Sequence, residues 1–376
     1  MRAIGALAML AAVGCGAPEG GETLQARLSL VETLAGTDTV GYARALEPRA
    51  FDFPVDHGPH PAFRTEWWYV TGNLTSEAGR EFGFQFTIFR NALSPTAPES
   101  PSAWATNQAY MGHFTVTDVE GRRFYAYERF ARGAVGLAGA QAEPLRVWLE
   151  DWTLEAAAPQ AFPLRLEARD DDVALRLDLA AGKPSVLQGD RGLSQKGPEP
   201  GNASYYYAHT RLPASGTLAV GGDTLRVTGT AWLDREWSTS ALSEGQVGWD
   251  WFALQLDDGR DLMFYRLRRA DGAADPWSRG SLIGADGGRR ALTGADVRLE
   301  AGDRWRSPET KASYPLWWRL QIPSEGIDLR VSPRLENQEW RASVLYWEGA
   351  VEAVGTSAGR PVTGLGYLEL TGYEPD

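Results

Sequence analysis

Large apolar and smaller or polar side chains alternate along much of this chain. In Val173-Ala174-Leu175-Arg176-Leu177-Asp178-Leu179 every second residue is a large aliphatic. A period of two places one set of side chains on each face of an extended strand. The same period recurs at residues 82–89, 111–116, 145–149 and 164–168, and later at 316–322, 327–331 and 342–346. Turn signals such as Glu120-Gly121, Asp170-Asp171 and Gly182-Lys183-Pro184 separate these runs. The body of the chain carries no long window of helical period. Helix-like spacing at Leu24, Leu28, Val31 and Leu34 predicts one short helix ahead of the folded body. Many short, regularly spaced strands predict an all-β protein of antiparallel barrels or sandwiches.

Two stretches repeat one another. Thr65-Glu66-Trp67-Trp68-Tyr69-Val70 leads to the turn Gly79-Arg80-Glu81 and the return Phe82-Gly83-Phe84. Gly248-Trp249-Asp250-Trp251-Phe252 leads to Gly259-Arg260-Asp261 and Leu262-Met263-Phe264. This repeat predicts two related β-domains, residues 48–243 and 244–376, with function in their cavities or at their seam. Residues 188–204 form a long polar stretch with Gly and Pro, read as a mobile loop or lid.

Composition narrows the function classes. The 376 residues suffice for two cores, and 15 Trp with 42 Gly suit aromatic-walled β-structure with many turns. A net charge of −12 argues against nucleic acid and against docking on anionic lipid by charge. The first 15 residues read as an export signal: Met1-Arg2, an apolar run from Ile4 to Val13, then Cys15. They resemble a bacterial lipoprotein signal, with Cys15 as the lipidated residue and a membrane-anchored protein facing the periplasm or exterior as the product. Plain secretion is the alternative. Residues 16–47 then form a tether and the short helix. Cys15 is the sole cysteine, so the mature chain has no disulfide and no thiolate metal site. His57, His60 and Asp56 share a proline-flanked loop, a weak metal signal, and no metal or cofactor is expected. Gly-x-Ser-x-Gly, P-loop and dinucleotide fingerprints are lacking.

Several motifs in order carry a family resemblance over residues 51–376. They are His60-Pro61, Thr65 to Gly72, Phe84 to Arg90, Trp232-Leu233-Asp234-Arg235-Glu236-Trp237, Tyr346 to Val351 and Gly366 to Tyr373. Together they resemble the AttH/CrtC family of lipocalin-like secreted hydrolases and carotenoid 1,2-hydratases. The resemblance implies two tandem lipocalin-like β-barrels packed together, with a ligand cavity near their junction. It implies an acid at Asp234 and a partner at His209. Where carotenoid hydratases carry Tyr and Trp beside these two groups, this chain has Trp232 and Arg211, which argues for another substrate.

The chemistry of alkene hydration fits some of these residues. It needs a carboxylic acid that stays protonated, which burial among aromatic rings provides. It also benefits from ring faces that hold a developing cation. Asp234 is therefore the candidate acid and His209 its partner. Trp232, Trp237, Trp249, Trp251 and Trp68 are candidate cavity wall, with Arg211 and Glu66 as polar ligand contacts. The bland alternatives stand beside these. Asp234 and Arg211 are equally read as a cross-strand ion pair, Glu66 as an anchor for Arg90 or Arg64, and the tryptophans as core. Two function classes follow: a hydratase-, isomerase- or cyclase-like enzyme on a polyene, terpenoid or polyketide, or a non-catalytic carrier of lipid or pigment.

Overall fold

A computed structural model describes residues 28–29, 39–157, 161–240 and 242–373. Cys15, the tether and most of the expected helix lie outside these residues. Within that helix's span, Leu28–Ser29 form a strand, β1, which pairs in parallel with Val344 and Leu345.

The first half then supplies β2 (Thr65–Ser76), β3 (Glu81–Ala92), β4 (Gln108–Asp118), β5 (Arg123–Arg132), β6 (Ala138–Gln141), β7 (Arg146–Leu149) and β8 (Trp152–Ala156). It continues with β9 (Leu164–Asp170), β10 (Val173–Leu179), β11 (Val186–Leu187), β12 (Leu193–Gln195), β13 (Ala203–Val220) and β14 (Asp223–Ser238). The second half supplies β15 (Gln246–Leu256), β16 (Asp261–Arg269), β17 (Arg279–Ile283), β18 (Arg289–Thr293), β19 (Arg298–Ala301), β20 (Arg304–Arg306) and β21 (Ser313–Pro315). It ends with β22 (Trp318–Ile322), β23 (Ile327–Pro333), β24 (Glu339–Arg341), β25 (Val344–Ser357) and β26 (Arg360–Leu370). Helical geometry among the described residues is confined to two 3-10 turns, Val55–His57 and Pro323–Glu325.

The main strand order is the same in both halves. The first sheet runs β5-β4-β3-β2-β14-β13-β10-β9-β8-β7-β6 and the second β18-β17-β16-β15-β26-β25-β23-β22-β19. In the first, β6 and β7 fold back on β3, β4 and β5, which nearly closes the barrel. Apart from the two-residue β1, both sheets are antiparallel within themselves, and they meet where β2, β3 and β13 touch β26, β25 and β15. The architecture is all-β, two lipocalin-like barrels packed side by side.

Strand alternation decides what each face does. Along β2, Trp68, Val70 and Leu74 point into the first barrel with Phe82, Phe84 and Phe86. Along β15, Phe252, Leu254 and Leu256 point into the second. Both interiors are filled with apolar side chains. The other parity, Tyr69 on β2 and Trp251 and Ala253 on β15, faces the opposite barrel in a separate aromatic cluster. The central strands are thus buried on both faces, which explains why they read as runs of aromatics rather than clean alternation. The seam is tight. A β-carbon at Gly83 would lie 2.4 Å from that of Ala350 across it, nearer than carbon atoms approach.

Part of residues 188–204 is built into the first sheet. Leu193–Gln195 pair with Ala203–Tyr205, and the Gln188 side chain is buried, accepting a hydrogen bond from Ser281 Oγ at 2.6 Å. Backbone pairing, not the polar composition of the segment, sets its structure.

Candidate functional site

The seam encloses a cavity of about 100 Å³. Roughly 10–15 Å³ on this measure holds one water, so the space suits part of a small molecule. Sheet register brings its lining together. Tyr69 stands opposite Asp234 and Trp67 opposite Glu236 on the β2–β14 pair, and Tyr206 stands opposite Glu236 on β13–β14. From the other barrel, Trp251 stands opposite Glu369 on β15–β26, and Glu348 opposite Glu369 on β25–β26. Directly paired residues share a face, so four carboxyl groups converge on one aromatic cavity, with Trp249, Tyr265 and Phe89 completing its walls.

The two barrels contribute equivalent positions. Glu66 is paired with Arg90 on β2–β3 as Asp250 is with Arg266 on β15–β16. With those pairs superposed in register, Trp67 corresponds to Trp251, Phe89 to Tyr265, Glu236 to Glu369 and Tyr206 to Glu348. The side chains differ in kind at two places: Tyr206 is matched by Glu348, and the rung beyond changes altogether. Asp234 opposite Tyr69 becomes Tyr367 opposite Ala253.

Burial controls the charge of this cluster. The Asp234 carboxyl is only 3% exposed. Loss of water pushes it up to about 8, and the nearby Glu236 and Glu369 add to the rise. The neighbouring Trp232 side chain and Tyr206, which donates to Asp234 Oδ1 at 2.8 Å, oppose the rise. Burial and the proximity of Glu369 also push Glu348 well above the usual carboxyl range, although Tyr69 donates to its Oε1. Glu369 is raised as well, chiefly by burial, against a 2.9 Å hydrogen bond from Trp249 Nε1. The cavity has a lysine beside these acids. Lys196 Nζ sits 2.6 Å from Glu236. Burial would lower this ammonium, but the Glu236 carboxylate outweighs it and the group is held above its ordinary value. At neutral pH the site therefore presents protonated carboxyls, phenols and one ion pair within aromatic walls. Such a site can donate a proton to carbon or to a leaving hydroxyl, and ring faces can hold positive charge.

Of the residues chosen from sequence, Asp234, Trp249 and Trp251 line this cavity. The others do not, and the causes are particular. His209 pairs with Leu233 and so faces away from Asp234, whose partners are Ala208 and Tyr69. Its ring packs 4.8 Å from Phe162 and 5.7 Å from His57, where burial lowers it to about 4. Tyr206 is the group that holds Asp234. Trp237 is on the reverse face of β14, stacked 3.7 Å from His60. Trp68 points into the first barrel, beneath the Arg235 guanidinium at 3.8 Å. Trp232 shares the face of Asp234 but packs edge-on to Trp251 at 6.4 Å, behind the wall. Arg211 grips Asp261 at 2.6 and 2.9 Å, with Lys183 and Thr210 on the same carboxylate, and so makes no pair with Asp234. Glu66 is fully buried between Arg90 and Arg235 and accepts the His60 backbone N–H. Burial would raise its carboxyl, but the two guanidiniums hold it far below the usual range. Glu66 thus anchors two arginines and lies outside the lining of this cavity.

The His57, His60 and Asp56 group serves packing. His57 Nδ1 bonds the Tyr207 hydroxyl at 2.6 Å, and Asp56 is tied to His60 and Arg49. Among the described residues no group of three or more His, Cys, Asp or Glu has a metal-holding arrangement.

A family model described as AttH-like matches residues 44–373. The chain belongs to the AttH-like family. An AttH candidate of known crystal structure, from Nitrosomonas europaea, is similar at 36% identity and a TM-score of 0.77, covering 88% of this chain and 99% of that one. Kievitone hydratase of Fusarium solani subsp. phaseoli is 24% identical over 213 residues, 55% of this chain and 59% of that protein. Dehydratase asqC of Emericella nidulans is 23% identical over 217 residues, 55% of this chain and 60% of that protein. The matches thus span about three fifths of those two relatives' length. The AttH-like chain has distant homologues among hydratases and dehydratases, and its fold is similar to that of kievitone hydratase from Nectria haematococca, at 16% identity and a TM-score of 0.67 over 89% of this chain and 98% of that one.

Sequence reasoning passed over Lys196, Tyr206, Glu348 and Glu369 in this AttH-like site. A signal was present for two of them. Glu348 in Trp347-Glu348-Gly349-Ala350-Val351 and Glu369 in Leu368-Glu369-Leu370 are lone acids in otherwise apolar strands. A charge at such a place is either paired or kept neutral.

Proposed function

We propose that this AttH-like protein is an acid–base catalyst that adds water to, or removes it from, a hydrophobic small molecule held at the seam between the barrels. Asp234 is the general acid. Tyr206 orients it, and the aromatic rings of Trp67, Trp249 and Trp251 enclose the reacting carbons. Glu236, paired with Lys196, supplies a place for the second proton. One observation carries this reading: a buried carboxyl held by neutral donors, with no cation on it, in the lining of an aromatic cavity. Water-adding and water-removing activities among the relatives support it. Polyene, terpenoid and polyketide compounds are the ligand classes that match apolar walls with a few donors.

The test uses the full chain and a panel of terpenoids, polyenes and β-hydroxy carbonyl polyketides. Products are read by mass spectrometry as gain or loss of one water. Wild-type protein is expected to convert at least one class, and Asp234→Asn to bind it without converting it. Tight binding with no conversion by either protein would replace the enzyme with a carrier.

The N-terminal segment carries a second proposal, export with a lipid on Cys15. Metabolic labelling with a fatty acid should mark the wild-type chain in a bacterial host and leave Cys15→Ser unmarked. Equal labelling would end that reading.

A further inference from the structure

Behind Glu348 a line of polar groups leaves the cavity and crosses the first barrel's outer wall. Tyr346 sits two residues earlier on β25, on the same face, beside Glu348 in the cavity wall. Its hydroxyl lies 2.9 Å from His113 Nδ1 on β4. His113 Nε2 lies 3.2 Å from Glu128 Oε1 on β5, and the Glu128 side chain is 13% exposed. Glu128 also accepts the Ser343 hydroxyl at 2.6 Å and the Ser343 backbone N–H at 3.1 Å. Tyr346 forms part of the cavity wall, and His113 is fully enclosed. Phe89 and Trp340 pack on the imidazole with centroids at 5.3 and 4.1 Å.

The donors and acceptors of this line fall into one order. Hydrogen bonds from His113 and Ser343 keep Glu128 below its usual range, and ionised it only accepts. Burial keeps His113 neutral, so it has a single ring proton. That proton belongs on Nε2, facing Glu128. Nδ1 is then an acceptor and takes the Tyr346 hydroxyl, whose oxygen is left to accept from protonated Glu348. Apart from Tyr346, Glu348 is faced by the Tyr69 phenol from β2 and the Glu369 carboxyl from β26.

We propose that Tyr346, His113 and Glu128 form a proton relay between the cavity acid Glu348 and solvent. The proposal rests on the reading of the cavity as an acid–base site. In the outward direction Glu348 passes its proton to the Tyr346 oxygen as the Tyr346 proton moves to Nδ1 of His113. The Nε2 proton moves to Glu128, which releases it to water. One proton leaves, Glu348 becomes a carboxylate and every other group keeps its charge. The inward direction reverses each transfer and restores the imidazole tautomer. Adding water to a double bond uses one proton at carbon and frees one from the attacking water. Once this line has emptied Glu348, its carboxylate can take the proton that the attacking water frees.

The test needs no substrate. Protein is transferred rapidly into heavy water, and the carboxylic-acid C=O band that vanishes in Glu348→Gln is followed by infrared spectroscopy. In wild type the shift of that band should be complete within mixing. His113→Gln retains an amide donor and acceptor but passes no proton through, and exchange should slow at least tenfold. Glu128→Gln should slow it likewise and carries the test if the first variant does not fold. Unchanged exchange in a folded variant would overturn the relay and show that Glu348 exchanges through the cavity mouth. Because turnover is not read, failure here is separable from failure of the catalytic proposal.

Discussion

Two buried carboxyls, Glu66 and Asp234, meet opposite fates in this chain. Glu66 has two arginines and stays ionised; Asp234 has a tyrosine and no cation, and stays protonated. The difference sets opposite expectations for their removal. Glu66→Ala leaves Arg90 and Arg235 buried without their counter-ion and should cost about 3–5 kcal/mol of stability, read by denaturant unfolding. Asp234→Asn should lower kcat by roughly 10²–10⁴-fold with ligand affinity retained. Since the acid form acts, wild-type turnover should fall as pH rises through about 8. The stability sign follows from the same shift. The folded-state value lies above the ordinary 3.8, so the benefit of a neutral Asp234 is full below that value and is lost as pH climbs toward 8. Asp234→Asn should therefore raise Tm relative to wild type at pH 8 but not at pH 4, by calorimetry.

At the scale of strands, period-two alternation in Val173 to Leu179 or Phe82 to Phe89 was enough to read extended structure, because side-chain parity is written in the sequence itself. Register was not, because it depends on which residue of one strand meets which of the next. His209 shows the cost. A bulge separates it from Leu212, and its parity puts it on the face away from Asp234. Tyr206, three residues earlier, lies on the correct face. Trp237 and Trp68 fail as cavity residues for the same reason of parity, whereas Trp249 and Trp251 fall on the seam face. Lys196 was hidden in a stretch whose composition reads as loop, and only its pairing beside β13 places it near Glu236. The approach of β3 to β25 at Gly83 gives a prediction on this scale. Gly83→Leu should force the seam apart, abolishing ligand binding while far-ultraviolet circular dichroism still reports intact β-sheet. Retained binding would show that the seam tolerates the wedge.

For the whole molecule, the division of labour matters most. Asp234, Glu236, Lys196 and Tyr206 come from the first barrel, and Glu348, Glu369, Trp249 and Trp251 from the second. Hydrogen bonds such as Asn73 to the Gly366 carbonyl and Gln255 to the Thr210 carbonyl hold the halves together. Expressed separately, residues 39–243 and 244–376 should each show no turnover, and co-expression should restore it, as read in a mixing assay with size-exclusion chromatography. The packed barrel interiors have a further consequence. Lipid-carrying cups of this general shape must keep their centres hollow, trading stability for capacity. Here the hydrophobic hearts are solid and the working surface is painted on the outside walls, so substitutions that retune the chemistry need not touch the residues that fold the chain.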